Sequence, residues 1–189
     1  NRSNTSYVGL FGYCYAATIK NLTIKDAEIN GNTYVGVISG YNYNGDVSNC
    51  ILSGKVNGVK YVGGCTGSTY YGFFNGISSS VDIIGGDYTG GIAGAKDHDA
   101  ANTCFYNCFV NSTISGINKV GGILGGEDRG FCNISNCGYV GSISGTSNVG
   151  GICGYTYSSS GTIKGSYAVA YVRGTGENTG GLIGYSRCP

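Results

Sequence analysis

This chain of 189 residues has no methionine and no tryptophan, a single proline, a single histidine, and charges on only 11% of its positions. Each scarcity excludes something. Nucleic-acid binding needs a clustered basic surface, and eleven Lys and Arg against ten Asp and Glu leave a net charge of only +1. No apolar run approaches the ~18 residues of a membrane span, so no transmembrane helix is expected. No basic segment followed by an apolar stretch opens the chain in the manner of a signal peptide. Methionine is missing even from position 1, so a processed chain or an excised fragment is expected. The nine cysteines contain no Cys-x-x-Cys, and His98 has none beside it, which leaves zinc without a ligand set. A catalytic thiol needs a neighbouring base, and one histidine makes no such case.

What is present is glycine, 37 residues of it, together with 17 tyrosines and a hydrophobic share of 41%. There is no Gly-X-Y period, so the chain is not collagen, and that much apolar content argues against disorder. The glycine recurs in one phrase: Tyr7-Val-Gly-Leu-Phe-Gly12, Tyr34-Val-Gly-Val-Ile-Ser-Gly40, Tyr61-Val-Gly-Gly-Cys-Thr-Gly67, Tyr88-Thr-Gly-Gly-Ile-Ala-Gly94, Lys119-Val-Gly-Gly-Ile-Leu-Gly125, Asn148-Val-Gly-Gly-Ile-Cys-Gly154 and Asn178-Thr-Gly-Gly-Leu-Ile-Gly184. Successive closing glycines are 28, 27, 27, 31, 29 and 30 residues apart. A period of this length signals a repeat architecture. Alignment on the last glycine puts Leu10, Ile38, Cys65, Ile92, Ile123, Ile152 and Leu182 in one column, which is expected to face a core.

After the phrase comes a second alternating segment, as in Val47-Ser-Asn-Cys50, Phe105-Tyr-Asn-Cys108 and Ile134-Ser-Asn-Cys137, with Ile77-Ser-Ser-Ser80 aligned to them. A third segment leads to the next phrase. Alternation of period two, punctuated by Gly and Asn, means strands and turns, and no window shows a helical period. Three short strands in about 28 residues make one coil of a solenoid, because a propeller blade needs ~40 or more. The expected fold is all-β: one domain over 1–189, a right-handed parallel β-solenoid (β-helix) of about 6–7 coils.

The V-G-G-[IL]-x-G phrase, repeated seven times in register, resembles the GLUG-motif repeats of bacterial secreted and surface proteins. The resemblance covers nearly the whole chain. Copies one to three depart from it: the first is one residue short, Val37 replaces the second glycine, and Cys65 replaces the aliphatic. It implies a non-catalytic part of a large extracellular or cell-surface protein, and it carries no catalytic residues to transfer.

Equal positions of a solenoid stack into ladders. Before the phrase stand Tyr7, Tyr34, Tyr61 and Tyr88, then Lys119, Asn148 and Asn178. Three residues past it stand Tyr15, Tyr43 and Tyr70, then Asp97, Asp128, Tyr157 and Arg187; one residue past it, Tyr13, Tyr41, Tyr155 and Tyr185 share a column. These ladders read either as an aromatic platform for sugars or a partner surface, or as cross-strand stacking that only stabilises the sheet. Loops Lys96-Asp97-His98-Asp99 and Glu127-Asp128-Arg129 are expected to bulge outward at equal offset. Asp97, Asp99 and Asp128 are candidate calcium ligands. The same acids could form a glycosidase pair or a solvated salt-bridge cluster with Lys96 and Arg129. No other cofactor is expected.

The cysteine count favours extracellular disulfides over a reduced compartment. Cys108 with Cys137, and Cys104 with Cys132, fall at similar offsets on neighbouring coils and can pair, while Cys188 is the candidate for an interchain bond. Small buried thiols are the alternative. Asn1, Asn4, Asn21, Asn111 and Asn133 head N-x-[ST] triplets and are candidate glycan sites. Both ends fall at nearly the same phase of the repeat, so head-to-tail association with copies of itself is expected, or continuation in a longer stalk. The functional expectation is a non-enzymatic extracellular structural or adhesive rod, with glycans or a cell surface as partners. The alternative is a carbohydrate-binding or carbohydrate-processing β-helix.

Overall fold

The structure, a computed structural model, describes residues 4–97, 103–130, 132–157 and 161–187. It is a right-handed parallel β-solenoid of about six coils, with no helix among the described residues. Each coil has four strands rather than the expected three. In one coil they run Lys60–Gly63, Thr66–Tyr70, Phe73–Asn75 and Ser78–Ile84. Equivalent strands stack in parallel into four sheets, the second with seven strands and the others with six. The extra side comes from the glycine phrase itself. It does not form one strand, because the chain turns between the two glycines and leaves Ile38, Cys65, Ile92, Ile123 and Ile152 at the corner, each fully buried.

Two positions in each coil use left-handed backbone, and the first three coils add a third at Ala16, Asn44 and Tyr71. The residue opening the phrase has φ of 59° at Tyr7, Tyr34 and Tyr88, 55° at Tyr61, 57° at Lys119, 54° at Asn148 and 60° at Asn178. A second left-handed corner, at Asn21, Asn49, Gly76, Asn107, Asn136 and Gly165, joins the third and fourth sides. Asparagine and glycine tolerate this region, whereas tyrosine there costs roughly 1 kcal/mol or more.

The closing glycine of the phrase exists for close approach. A Cβ on Gly94 would sit 2.4 Å from the Val62 amide nitrogen and 2.6 Å from the carbonyl oxygens of Gly67 and Tyr88. The ladder on the second side passes over this glycine: Ala93 pairs with Leu124, then Ala95 with Gly126 and Lys96 with Glu127. The skip reverses which residues of that strand point inward.

Apolar side chains fill most of the lumen. Val47, Phe74, Phe105 and Ile134 form one internal column, with the two phenylalanine rings stacked at 5.0 Å. Phe74 thus takes the place expected for Ile77. The register pairs Ile77 with Cys50 and Cys108, and Ser80 with Ser53 in the outer row of the next strand. A count of seven residues from the closing glycine, as from Gly40 to Val47, reaches Phe74 from Gly67; the likeness of Ile77-Ser-Ser-Ser80 to Val47-Ser-Asn-Cys50 pointed three residues too far on. Tyr139 is fully buried, and its hydroxyl donates to the carbonyl oxygens of Ser112 at 3.0 Å and Ser142 at 2.7 Å.

Candidate functional site

The first and second sides meet in a face built from tyrosines. Tyr7, Tyr34 and Tyr61 stack at 4.7 and 4.8 Å, and Tyr88 continues the row at 5.0 Å with a tilted ring. Each stacked pair contributes about 0.5–1.5 kcal/mol, which offsets the left-handed backbone beneath. Beyond Tyr88 the column changes chemistry. Asn148 donates to Asn118 at 2.7 Å and Asn178 to Asn148 at 2.9 Å, so amides replace rings at the same corner.

The neighbouring column runs Tyr13, Tyr41, Ser68, Ala95, Gly126, Tyr155 and Tyr185. Tyr13 stacks on Tyr41 at 5.3 Å and Tyr155 on Tyr185 at 4.9 Å. Three small residues interrupt the ladder between them, and the carboxylates of the next column fold into this notch. Asp97 Oδ2 accepts from the Tyr41 hydroxyl at 2.5 Å. Asp128 accepts from the Tyr88 hydroxyl on one oxygen and from Lys119 Nζ on the other at 2.5 Å. Lys119 Nζ lies 4.2 Å from the ring centres of both Tyr88 and Tyr155. Lys119 therefore bridges the two columns across the notch by charge and by cation–π attraction.

The third column behaves as its register predicts. Tyr15, Tyr43 and Tyr70 stack at 5.2 and 4.7 Å, and Arg187 covers the Tyr157 ring at 4.7 Å. In all three columns the ring faces are used against each other or against a cation. A sugar stacks on a ring face, and inner tyrosines present rims instead.

Asp97 and Asp128 are in register on adjacent coils, as expected, but their oxygens are engaged by tyrosines and a lysine. Among the described residues no group of three His, Cys, Asp or Glu is placed to hold a metal ion. Asp99 and His98 lie outside the described residues, as do Asn1 and Cys188. Lys96 and Glu127 do not bulge outward as expected. They are buried on the luminal side, because the skipped glycine turns the strand over before they are reached.

The cysteines divide. Cys108 and Cys137 are neighbours on the same internal column, as the register of the flanking residues requires. Their shared hydrogen bond and burial push the Cys108 thiol well up. Cys104 and Cys132 are not in register: Cys104 pairs with Asn133, and Cys132 with Thr103. Consecutive residues of a strand face opposite sides, so this offset points the two thiols apart, one half-buried and one buried. None of the described cysteines is bridged. Of the glycan candidates, Asn4, Asn21 and Asn111 are exposed, whereas Asn133 is half-buried and accepts from Thr162 at 2.8 Å.

Burial makes the phenols of this face weak acids. Tyr34 is pushed up to about 12 by burial and by the neighbouring phenols of Tyr61 and Tyr7. Tyr41 and Tyr88 rise further, by burial and by donation to Asp97 and Asp128. A phenol held neutral in the fold retains protons that the unfolded chain releases. Stability should therefore be level below the ordinary value of 10.0 and fall as pH rises from there through about 12. Phenolate absorbance in an alkaline titration should show a group of tyrosines ionising late in the folded protein and normally in denaturant. Simultaneous ionisation of all 17 near 10.0 would show that the face is open to water.

Compared with known proteins, the chain matches no family model, no curated protein and no solved structure. No helix of the described residues is long and apolar enough to cross a membrane.

Proposed function

We propose that this chain is a structural and adhesive rod of the cell exterior, without enzymatic activity, that extends by stacking coil upon coil against further copies of itself. The observation that carries the reading is the continuity of the four parallel sheets and of the buried corner column from coil to coil. The corner residues Ile38, Cys65, Ile92, Ile123 and Ile152 are fully buried because each has a coil laid against it on both sides. Tyr13 and Tyr185 belong to one column, and each already stacks on its single neighbour. The same would hold of whichever coil ended the stack. A further coil laid in register would bury the aliphatic corner, pair the open strand edges and continue the ring ladders. Contacts of this heterologous kind do not close, so they generate filaments.

The extracellular placement rests on the cysteine content and on the resemblance to GLUG repeats. The carbohydrate-binding reading has less support, because the inner ring faces are spent on one another. Electron microscopy of the purified protein, with and without reductant, tests the proposal. Filaments with the width of one solenoid are expected, and their loss on reduction would assign an interchain disulfide to the joint. Isolated rods one chain long under both conditions would overturn self-stacking, and glycan-array binding by those rods would favour the alternative.

A further inference from the structure

The second side carries a polar column that faces the lumen and takes no part in the tyrosine face. At its centre Lys96 and Glu127 are Cα partners on adjacent coils. Their side chains are 0% and 2% exposed, with Nζ 3.8 Å from Oε2. The two oxygens of Glu127 have different surroundings. Oε1 accepts from the Thr156 hydroxyl at 2.6 Å, while Oε2 receives no hydrogen bond among the described residues. Lys96 Nζ donates to the Arg129 carbonyl oxygen at 2.6 Å. A cavity of about 210 Å³ lies against Glu127, also lined by Thr156, Leu124, Ile134, Cys132 and Cys153.

Two opposite charges in an apolar lumen are expensive to hold, and low dielectric favours moving one proton from the ammonium to the carboxylate. Burial pushes the Glu127 carboxyl up in the same direction. Thr156 and Lys96 oppose that rise. In its neutral form the pair is an amine beside a carboxylic acid, the reactants for amide formation.

We propose that Lys96 and Glu127 condense into a side-chain amide that staples two neighbouring coils. The Nζ lone pair attacks Cδ of the protonated carboxyl, and a C–N bond forms. Oε2 leaves as hydroxyl together with one proton from nitrogen, so the ammonium–carboxylate pair becomes one amide and one water, with no change of oxidation state. The Thr156 hydroxyl already points at Oε1, where negative charge develops in the tetrahedral intermediate, and such a preplaced donor lowers the barrier. The Arg129 carbonyl holds one N–H and so orients the lone pair. The adjacent cavity receives the departing water. In dilute solution hydrolysis would win, but groups held in this way reach effective molarities on the order of 10⁵–10⁸ M, which favours the amide.

The test is the intact mass of the full chain, folded, incubated, then denatured and reduced. The mass is expected to fall below the sequence mass by one water molecule. A branched peptide should contain both Lys96 and Glu127, with a lysine-specific protease failing to cut at Lys96. Glu127→Gln should lose ammonia instead of water, and Glu127→Ala should show the mass of its own sequence. A mass loss mapping elsewhere, or an unmodified wild-type mass with normal cleavage at Lys96, would overturn the crosslink and leave an ordinary buried ion pair.

Discussion

Phe105→Ala is expected to lower stability by about 3–5 kcal/mol, the range for deleting a fully buried aromatic side chain. Phe105 has no exposure, stacks on Phe74 at 5.0 Å, and stands between Phe74 and Ile134 in the internal column. Strand hydrogen bonds fix the separation of the coils, so the walls cannot collapse into the space left behind. Guanidinium unfolding followed by far-UV circular dichroism measures the loss. Phe105→Leu, which keeps most of the volume, should cost less than half as much. A loss below about 1 kcal/mol for the alanine variant would mean that this part of the lumen is not closely packed.

Gly94→Ala should be nearly as damaging, about 3 kcal/mol, at the upper end of ordinary overpacking. The added methyl would meet the Val62 nitrogen at 2.4 Å and the Gly67 and Tyr88 carbonyl oxygens at 2.6 Å. These are backbone atoms of the same and neighbouring coils, not flexible side-chain ends. Relief requires separating two strands and breaking their ladder. Gly126→Ala is the control, since a Cβ there meets nothing nearer than 3.3 Å and alanine already stands beside it in the column at Ala95. Its stability should stay within about 0.5 kcal/mol of the parent. Equal losses at the two positions would show that chain entropy rather than close approach makes the phrase glycine-rich.

The repeat made much of this architecture legible. A period held between 27 and 31 residues and an aliphatic column at Ile38, Ile92, Ile123 and Ile152 require a stack with a shared core, whatever the coil's outline. Tyr15, Tyr43 and Tyr70 were readable as a ladder for the same reason: equal offsets on parallel strands meet. The reading failed where a count along the chain lost its phase. Ile77 was aligned with Val47 by its Ile-Ser-Ser-Ser pattern, yet Phe74, seven residues past Gly67 as Val47 is past Gly40, holds that place. Cys104 and Cys132 share an approximate offset, yet one residue of slip turns their thiols to opposite faces.

The candidate site was visible only in part. Asp97 and Asp128 could be placed side by side from their spacing. That each folds across a notch of Ser68, Ala95 and Gly126 to a tyrosine, with Lys119 between Tyr88 and Tyr155, depends on side chains 9 to 56 residues apart and on which rotamer reaches. No local pattern encodes such contacts.

By itself the sequence determined a parallel β-solenoid, its period and the order of its columns, because identical short phrases can bury their apolar positions only against one another. The tertiary structure decided which residues face in. One glycine skipped by the ladder of the second side reverses the alternation after it, turning Lys96 and Glu127 into the lumen and Asp97 and Asp128 onto the tyrosine face. The period-two rule assumes an unbroken strand, and the close approach that makes this position glycine is what breaks it.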